Sequence, residues 1–128
     1  LCTAIHPAGP GFEAFRDRFR KTYHTDPTIY DPNTWDAAAL AVLAAASAQA
    51  TTGTALRDRL REVANPPGKA VVEVCDGLQQ LRQGQDIDYQ GVSGTVDLNA
   101  EGDVTGSYDV WQIQPDGTQK IVETLTIQ

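Results

Sequence analysis

The sequence is short of the residues that mark several functional classes. It contains no methionine, two cysteines and two histidines among 128 residues. Lys and Arg number 10 against 17 Asp and Glu, which gives a net charge of −7 at pH 7. Because this balance leaves no positive field to neutralise phosphates, we expect no nucleic-acid partner.

Long hydrophobic runs are also missing. The longest apolar run, residues 37–46, is far too short to cross a bilayer. No charged segment followed by an apolar stretch marks a signal peptide, and Leu1 stands where an initiator methionine would be. We therefore expect a mature protein or an excised piece of one. The length suits one domain with a single core.

The motifs of catalysis and metal binding are missing as well. Residues 97–102 begin like a calcium-binding loop, but Tyr108 stands where a bidentate glutamate is needed. Ser93 lacks the glycine spacing of a hydrolase nucleophile, and both histidines precede it. His6 and His24 lie far apart with no further ligands at metal-binding spacing. Neither type of glycine-rich phosphate loop is present. We expect no enzyme activity, no cofactor and no metal.

The two cysteines, Cys2 and Cys75, fit no CxxC metal or redox motif. One interpretation is a disulfide of an exported protein that ties the N-terminal segment to a later helix. The other is two unrelated buried thiols. Both stay open, because sequence alone cannot place two Cα atoms within bonding reach.

What the sequence does contain begins with a helix. After an irregular opening segment, Phe12, Phe15, Phe19 and Tyr23 recur at helical spacing, which predicts a helix over residues 12–24. Such an aromatic stripe could form a groove for a ligand or partner. We expect instead that it packs on the core.

A proline-containing loop, residues 25–33, leads to an alanine-rich helix predicted over residues 35–50. Asn33 or Thr34 is the predicted cap, with Asp36 in the first turn. This helix is apolar nearly all round, so we expect other elements to cover it on most sides.

The rest of the chain turns from helices to strands. Two more helices are predicted over residues 55–64 and 76–83, with a strand or extended link at 70–74. The last third is predicted as an antiparallel meander with strands at 95–98, 107–114 and 120–127 and turns at 99–102 and 115–117.

Tyr30 and Trp35 are the candidate ligand-binding residues. An aromatic side chain beside a helix N-terminus at the edge of a fold is a plausible stacking group. The alternative is that Trp35 belongs to the core and Tyr30 is a partly exposed loop residue.

Four pieces of the sequence, in this order, resemble the C-terminal third of type I solute-binding proteins. That family contains the leucine/isoleucine/valine-binding receptors of branched-chain amino acid ABC transporters. The pieces are the aromatic helix followed by Pro27, the Trp35-Asp36-Ala37 start of the alanine-rich helix, the Asn-Pro-Pro-Gly of residues 65–68, and residues 81–104 with DIDYQGVSG at their centre. Trp35 and Thr95 depart from the pattern, where relatives more often have Tyr and Pro.

The resemblance implies an α/β fold, namely the C-terminal part of a two-lobed type I periplasmic-binding-protein fold. Three to four helices would precede a mainly antiparallel strand meander. Residues 1–92 would be the helical part, mostly in the first lobe of the parent. Residues 93–128 would be the hinge crossing and the strands toward the second lobe. Ligand would bind between the lobes, and Tyr30 matches a position that can face the cleft.

The resemblance also implies a function. The parent would be the extracytoplasmic solute-binding component of an ABC importer. It would deliver an amino acid or a similar small solute to permease subunits in the membrane. Its location would be periplasmic or extracellular, with a lipid anchor as a further option. The alternative is a ligand-sensing ectodomain or a small α+β interaction module. We expect this piece to bind no ligand with native affinity alone, and to self-associate through exposed apolar surface.

Overall fold

A computed structural model describes residues 2–127, with side chains from residue 5 onward. The described residues form four helices and five strands. In chain order these are β1 (Cys2–Ile5), α1 (Phe12–Tyr23), α2 (Asp31–Ala48), α3 (Gly53–Ala64), β2 (Lys69–Val71), α4 (Val74–Arg82), β3 (Ile87–Tyr89), β4 (Gly106–Ile113) and β5 (Gln119–Ile127). We call the four helices with β2 and β3 the helical body, and β1, β4 and β5 the outer sheet.

The α1 helix spans almost the predicted range. In its aromatic stripe Phe15 is buried, Phe12 and Phe19 are half-buried, and Tyr23 is 64% exposed. The expectation that the whole stripe packs on the core is therefore wrong for Tyr23, at its C-terminal end.

The α2 helix begins at Asp31, four residues before the predicted start. The cap is Tyr30 rather than Asn33 or Thr34. Two local features explain the difference. Pro32 has a fixed φ that suits the first helical turn, and its missing N–H is not needed there. The Asp31 carboxylate accepts hydrogen bonds from the Thr28 backbone N–H (2.6 Å) and hydroxyl (2.9 Å), which fixes the chain just before the helix.

One side of α2 forms the centre of the core, through Ala39, Leu40, Leu43 and Ala44. These residues form one buried cluster with residues of α3, β2 and β3, and side chains of α4 pack against it. The opposite side is open, and Val42 is 48% exposed. The described chain thus covers this apolar helix on one side, where the composition predicts cover on most sides.

A short β2–α4–β3 unit closes the helical body. The two strands pair in parallel, with Lys69 opposite Ile87 and Val71 opposite Tyr89. The α4 crossover packs closely because Gly77 has no side chain, and a Cβ there would meet a Leu43 methyl at 2.8 Å. The sequence predicts no strand at 87–89, because three residues are too few for a periodic signal.

The outer sheet has the strand order β1-β4-β5 and is antiparallel throughout. The predicted hairpin of the last two strands is confirmed. The predicted strand over residues 95–98 is wrong. Only a single bridge, Leu98 to Val104, forms there, and Val96 has a positive φ of 53° that interrupts extended backbone.

Two segments cross between the helical body and the outer sheet, residues 6–11 and 92–105. They lie side by side, and the Ala8 N–H donates to the Ser93 carbonyl at 3.0 Å. Gly9 permits this approach, because a Cβ there would lie 2.1 Å from the Gly91 oxygen. The sequence-based division at residue 92 groups β1 with the helices, whereas β1 pairs with β4. The assignment of these bodies to lobes of a parent stays a prediction.

Candidate functional site

The junction of the two bodies is built around Asp36, which is 2% exposed. Its carboxylate accepts hydrogen bonds from the Tyr89 hydroxyl (3.0 Å) and the Val92 N–H (2.9 Å). It also accepts from the Ser93 N–H (2.7 Å) and the Ser93 hydroxyl (2.5 Å). A buried carboxylate is tolerated only when it is well hydrogen-bonded, and four neutral donors supply those bonds here. Asp36 thereby fixes the 91–94 loop against the first turns of α2.

Tyr89 is the inner partner of this carboxylate. Burial raises the pKa of its hydroxyl above the ordinary value of 10.0, and the Asp36 charge and hydrogen bond raise the pKa further. The hydroxyl therefore stays protonated and keeps donating to Asp36 at neutral pH. Ser93 is the outer partner.

A cavity of about 330 Å³ lies at the same junction. We call it the junction cavity. Its walls come from the end of β1, from α2, from both crossing segments and from the start of β4. The lining residues are Ile5, His6, Ala8, Asn33, Ser93, Gly94, Thr95, Val96, Val104, Thr105, Gly106, Ser107 and Tyr108. The lining mixes hydroxyls, one amide and one imidazole with small apolar groups. A small polar molecule fits such a lining.

His6 and Asp109 connect the cavity wall to the outer sheet. His6 Nδ1 lies 2.8 Å from Asp109 Oδ2, and the Thr124 hydroxyl donates to Asp109 Oδ1 at 2.6 Å. Burial alone raises the pKa of Asp109, but the hydrogen bonds from Thr124 and His6 outweigh it, and the pKa lies below its ordinary value. The carboxylate is therefore ionised at neutral pH and fixes the orientation of the imidazole ring.

The structure separates the two predicted ligand-binding residues. Tyr30 caps α2 and is 66% exposed. Its side chain is not among those that line the junction cavity. Trp35 points elsewhere, since its ring packs against Phe15 with centroids 5.6 Å apart. No contact between Tyr30 and Trp35 is needed for either role, and both roles stay predictions.

Trp35 belongs to a second concavity, a groove of about 470 Å³ between α1 and α2. We call it the helical groove. Phe15, Phe19 and Tyr23 form one wall, and Trp35 and Ala38 form the other. Arg18 lies over the Trp35 ring at 5.7 Å and is paired with Glu73. This groove is apolar and open, and its wall is the half-exposed aromatic stripe of α1.

The other sequence-based expectations concern metals and thiols. Among the residues with described side chains, no group of three His, Cys, Asp or Glu side chains is placed to hold a metal ion. The Cys75 side chain is exposed on α4. The side chain of Cys2 lies outside the described part of the chain, so the pairing of the two thiols stays a prediction.

Comparison with family models identifies the chain. The model described as the receptor family ligand binding region matches residues 2–116. The chain belongs to this family. Searches of curated proteins and of solved structures gave no match.

The receptor ligand-binding-region family has a type I periplasmic-binding-like α/β fold, and the four helices and two small sheets agree with it. The family consists of ligand-binding regions of receptors and solute-binding proteins and is not one of enzymes. Binding of small-molecule ligands is thus the function of the family. The match covers both crossing segments and therefore the whole lining of the junction cavity.

Sequence reasoning missed Asn33 and His6 as residues of this site. It interprets Asn33 as a helix cap and considers His6 only as a metal-ligand candidate without partners at the required spacing. No local signal distinguishes them, because the cavity forms only when segments around residues 6, 33, 94 and 106 meet. The contact between Asp36 and residues 89–93 could have been predicted, because Trp35-Asp36-Ala37 and the 86–94 segment are two of the pieces that carry the family resemblance.

Proposed function

We propose that this chain forms one wall of the ligand site in an extracytoplasmic solute-binding protein of an ABC importer. The solute is an amino acid or a similar small molecule, and it is delivered to permease subunits in the membrane. The protein acts in the periplasm or outside the cell, where a lipid anchor can hold it. Among the described residues, no single helix is long and apolar enough to cross a membrane; α2 and α3 meet that criterion only jointly, with a bend of 104°.

The observation that carries the proposal is the position of the junction cavity. The family match assigns ligand binding to residues 2–116, and this cavity is where the helical body, the outer sheet and both crossing segments meet. Ligand sites of two-lobed proteins occur where the lobes and their hinges converge. Tyr30, exposed at the N-terminus of the helix that carries Asn33, is proposed to supply an aromatic face for the ligand.

In this proposal a second lobe covers surfaces that the described chain leaves open. Val42 of α2 and Ile121, Val122 and Leu125 of β5 are all exposed apolar side chains. Exposed apolar patches mark interfaces. The open side of α2 and the exposed β5 strand are consistent with contact to further parts of a larger protein, and without them the chain self-associates.

Calorimetric titration with the common amino acids tests the proposal. The protein expressed from its complete reading frame is expected to bind one or more of them with micromolar affinity, and the 128-residue chain is expected to bind far more weakly. The Tyr30→Ala variant of the complete protein should bind at least several-fold more weakly, because it loses aromatic stacking. Binding of no amino acid by the complete protein would contradict the proposal.

A second candidate is a ligand-sensing ectodomain, and the description of the matching family as a receptor ligand-binding region favours it. The reading frame distinguishes the two candidates. An importer component ends after its ligand-binding lobes, whereas a sensor continues into a membrane-spanning segment and a signalling domain. Sequencing the complete frame decides between them.

A further inference from the structure

The second crossing segment contains a residue in an unusual backbone conformation. Val96 has a φ of 53°, in the left-handed region that a β-branched residue rarely adopts, because its Cβ crowds the backbone there. Among the described residues, the other non-glycine residues with a positive φ are His24 and Gln49. Each of these two follows the last turn of a helix as its C-cap, where chains often adopt this conformation. Val96 caps none of the described helices, so its conformation has no such local cause.

The sequence around Val96 favours a different conformation. Thr95 and Val96 are β-branched, and residues 95–98 alternate in the way that predicts a strand. Local preference and fold therefore disagree at this position. Disagreement of this kind is expected at strained or functional positions.

Contacts on both sides hold the segment in the strained form. Before it, the Ser93 N–H and hydroxyl donate to the Asp36 carboxylate at 2.7 and 2.5 Å. After it, Asn65 bonds to the N–H and the carbonyl of Leu98, each at 2.9 Å. Between them the Val96 side chain is 8% exposed and belongs to the core cluster of the helical body. Because a strained conformation persists only where its surroundings enforce it, we attribute the positive φ to these contacts.

A short antiparallel pairing begins just after the strained residue. Leu98 forms a bridge with Val104, and the Asn99 N–H closes the turn between them by donating to the Asp103 carbonyl at 2.8 Å. If the backbone before Leu98 became extended, the same register would place residue 97 opposite residue 105. The chain therefore contains the start of a hairpin that the conformation of Val96 stops from growing.

We propose that residues 95–98 form a two-state segment in which Val96 is the switch. In the form described above, Val96 has a positive φ, and its side chain is packed in the core and lines the junction cavity. In the other form, Val96 is extended, Asp97 pairs with Thr105, and the valine side chain leaves the cavity wall. The extended form is relieved of backbone strain but loses the burial of one valine, and contributions of similar size keep the two forms close in free energy. The switch is a property of this chain and is independent of which solute the protein binds.

Paired substitutions test whether Val96 is strained. At most positions alanine is more stable than glycine, because glycine loses more backbone freedom on folding. At a positive φ the order reverses, because glycine has no Cβ to crowd the backbone. Val96→Gly is therefore expected to have a roughly fivefold smaller unfolding equilibrium constant than Val96→Ala, measured by urea unfolding in dilute solution.

The control pair for this comparison is Thr105→Gly and Thr105→Ala. Thr105 is an exposed residue of the same crossing segment and is not among the residues with a positive φ. Alanine should be the more stable replacement there. An alanine variant at least as stable as the glycine variant at position 96 would overturn the proposal.

Relaxation-dispersion nuclear magnetic resonance of the isotope-labelled 128-residue chain tests for the second form, because it detects exchange on the microsecond to millisecond timescale. The amides of Asp97, Leu98 and Thr105 are expected to exchange with one shared rate. The Cα chemical shift of Val96 in the minor form should be that of extended strand backbone. The minor form should be about fivefold less populated in Val96→Gly than in Val96→Ala.

Gln49→Gly is the control for the exchange measurement, because it relieves a positive φ at a helix end outside the segment. This variant should leave the exchange of residues 95–105 unchanged. Absence of exchange at Asp97, Leu98 and Thr105, or a minor form with the chemical shifts of an unfolded chain, would overturn the proposal.

Discussion

At the scale of single residues, Asp36 decides how the two bodies meet. It is almost fully buried, and all of its hydrogen bonds come from residues 89–93. The short distance between residue 91 and Asp36 also explains why residue 91 is a glycine, because a Cβ there would lie 2.5 Å from the Asp36 carboxylate. One side chain on α2 thus fixes the backbone from which the second crossing segment departs.

Replacing Asp36 with Asn should destabilise the chain by at least about 2 kcal/mol. The amide presents a donor to a site where every partner is also a donor. Urea unfolding followed by circular dichroism measures the change. Asp17→Asn, on the exposed side of α1, is the matched control and should change stability little. Equal stability of the two variants would mean that the Asp36 bonds are not formed.

Asp109 gives the chain a defined response to acid. Its pKa lies below the ordinary 3.8, so its stabilising contribution is fully present above pH 3.8 and is lost as the pH falls through the lower folded-state value. Asp109→Asn should lower the free energy of unfolding by about 1–2 kcal/mol at pH 7. The difference between the variant and the unsubstituted chain should shrink below pH 3.8.

Unfolding curves at several pH values, with the exposed Asp103→Asn as control, check this expectation. The control lacks the bonds to Thr124 and His6, so it should follow the unsubstituted chain at every pH. A pH-independent difference for Asp109→Asn would contradict the linkage.

At the scale of elements, helix ends determine where the connecting segments run. Asn65 follows α3 and pairs with both backbone groups of Leu98, in the way that a neighbouring strand would. Residues 95–104 form no regular strand, so this side chain supplies pairing that the backbone does not.

Asn65→Ala should therefore loosen the 95–104 segment and cost about 1–2 kcal/mol. Hydrogen exchange gives the sharpest measurement. The Leu98 amide should exchange faster in the variant. The exchange rates of amides in the centre of α2 should change only as much as the change in global stability requires. Unchanged protection of Leu98 would show that Asn65 does not hold the segment.

The elements differ in how far their local sequence determines them. The start of α1 was predictable because the aromatic spacing is local. The start of α2 was not, since it depends on the Thr28–Asp31 bonds and on Pro32. β3 has three residues and gave no periodic signal. The junction cavity could not be predicted, because its lining comes from segments far apart in the sequence that meet only in the folded chain.

At the scale of the whole molecule, exposed apolar surface is the dominant feature. Every residue of β5 is exposed, including Ile121, Val122, Leu125 and Ile127. β5 is also an edge strand, so its outer backbone groups are free to pair with another strand. The helical groove adds a second apolar region on the helical body.

We expect the 128-residue chain to self-associate through β5. Sedimentation velocity over a range of concentrations should show a mass that rises with concentration. Ile121→Lys should shift that rise to higher concentration, because charge on an edge strand opposes pairing. Thr118→Lys, in the preceding turn, adds the same charge outside β5 and serves as control. A strictly monomeric mass at every concentration would contradict the expectation.

The paired crossing segments have a mechanical consequence. A single flexible tether would let the outer sheet swing and rotate in any direction relative to the helices. Two segments that run side by side, joined by the Ala8–Ser93 hydrogen bond, act as a two-stranded hinge. Bending about the axis that passes through both segments is easy, whereas a motion away from that axis would stretch one segment and compress the other. We expect the sheet to move along a single arc, one that opens or closes the walls of the junction cavity.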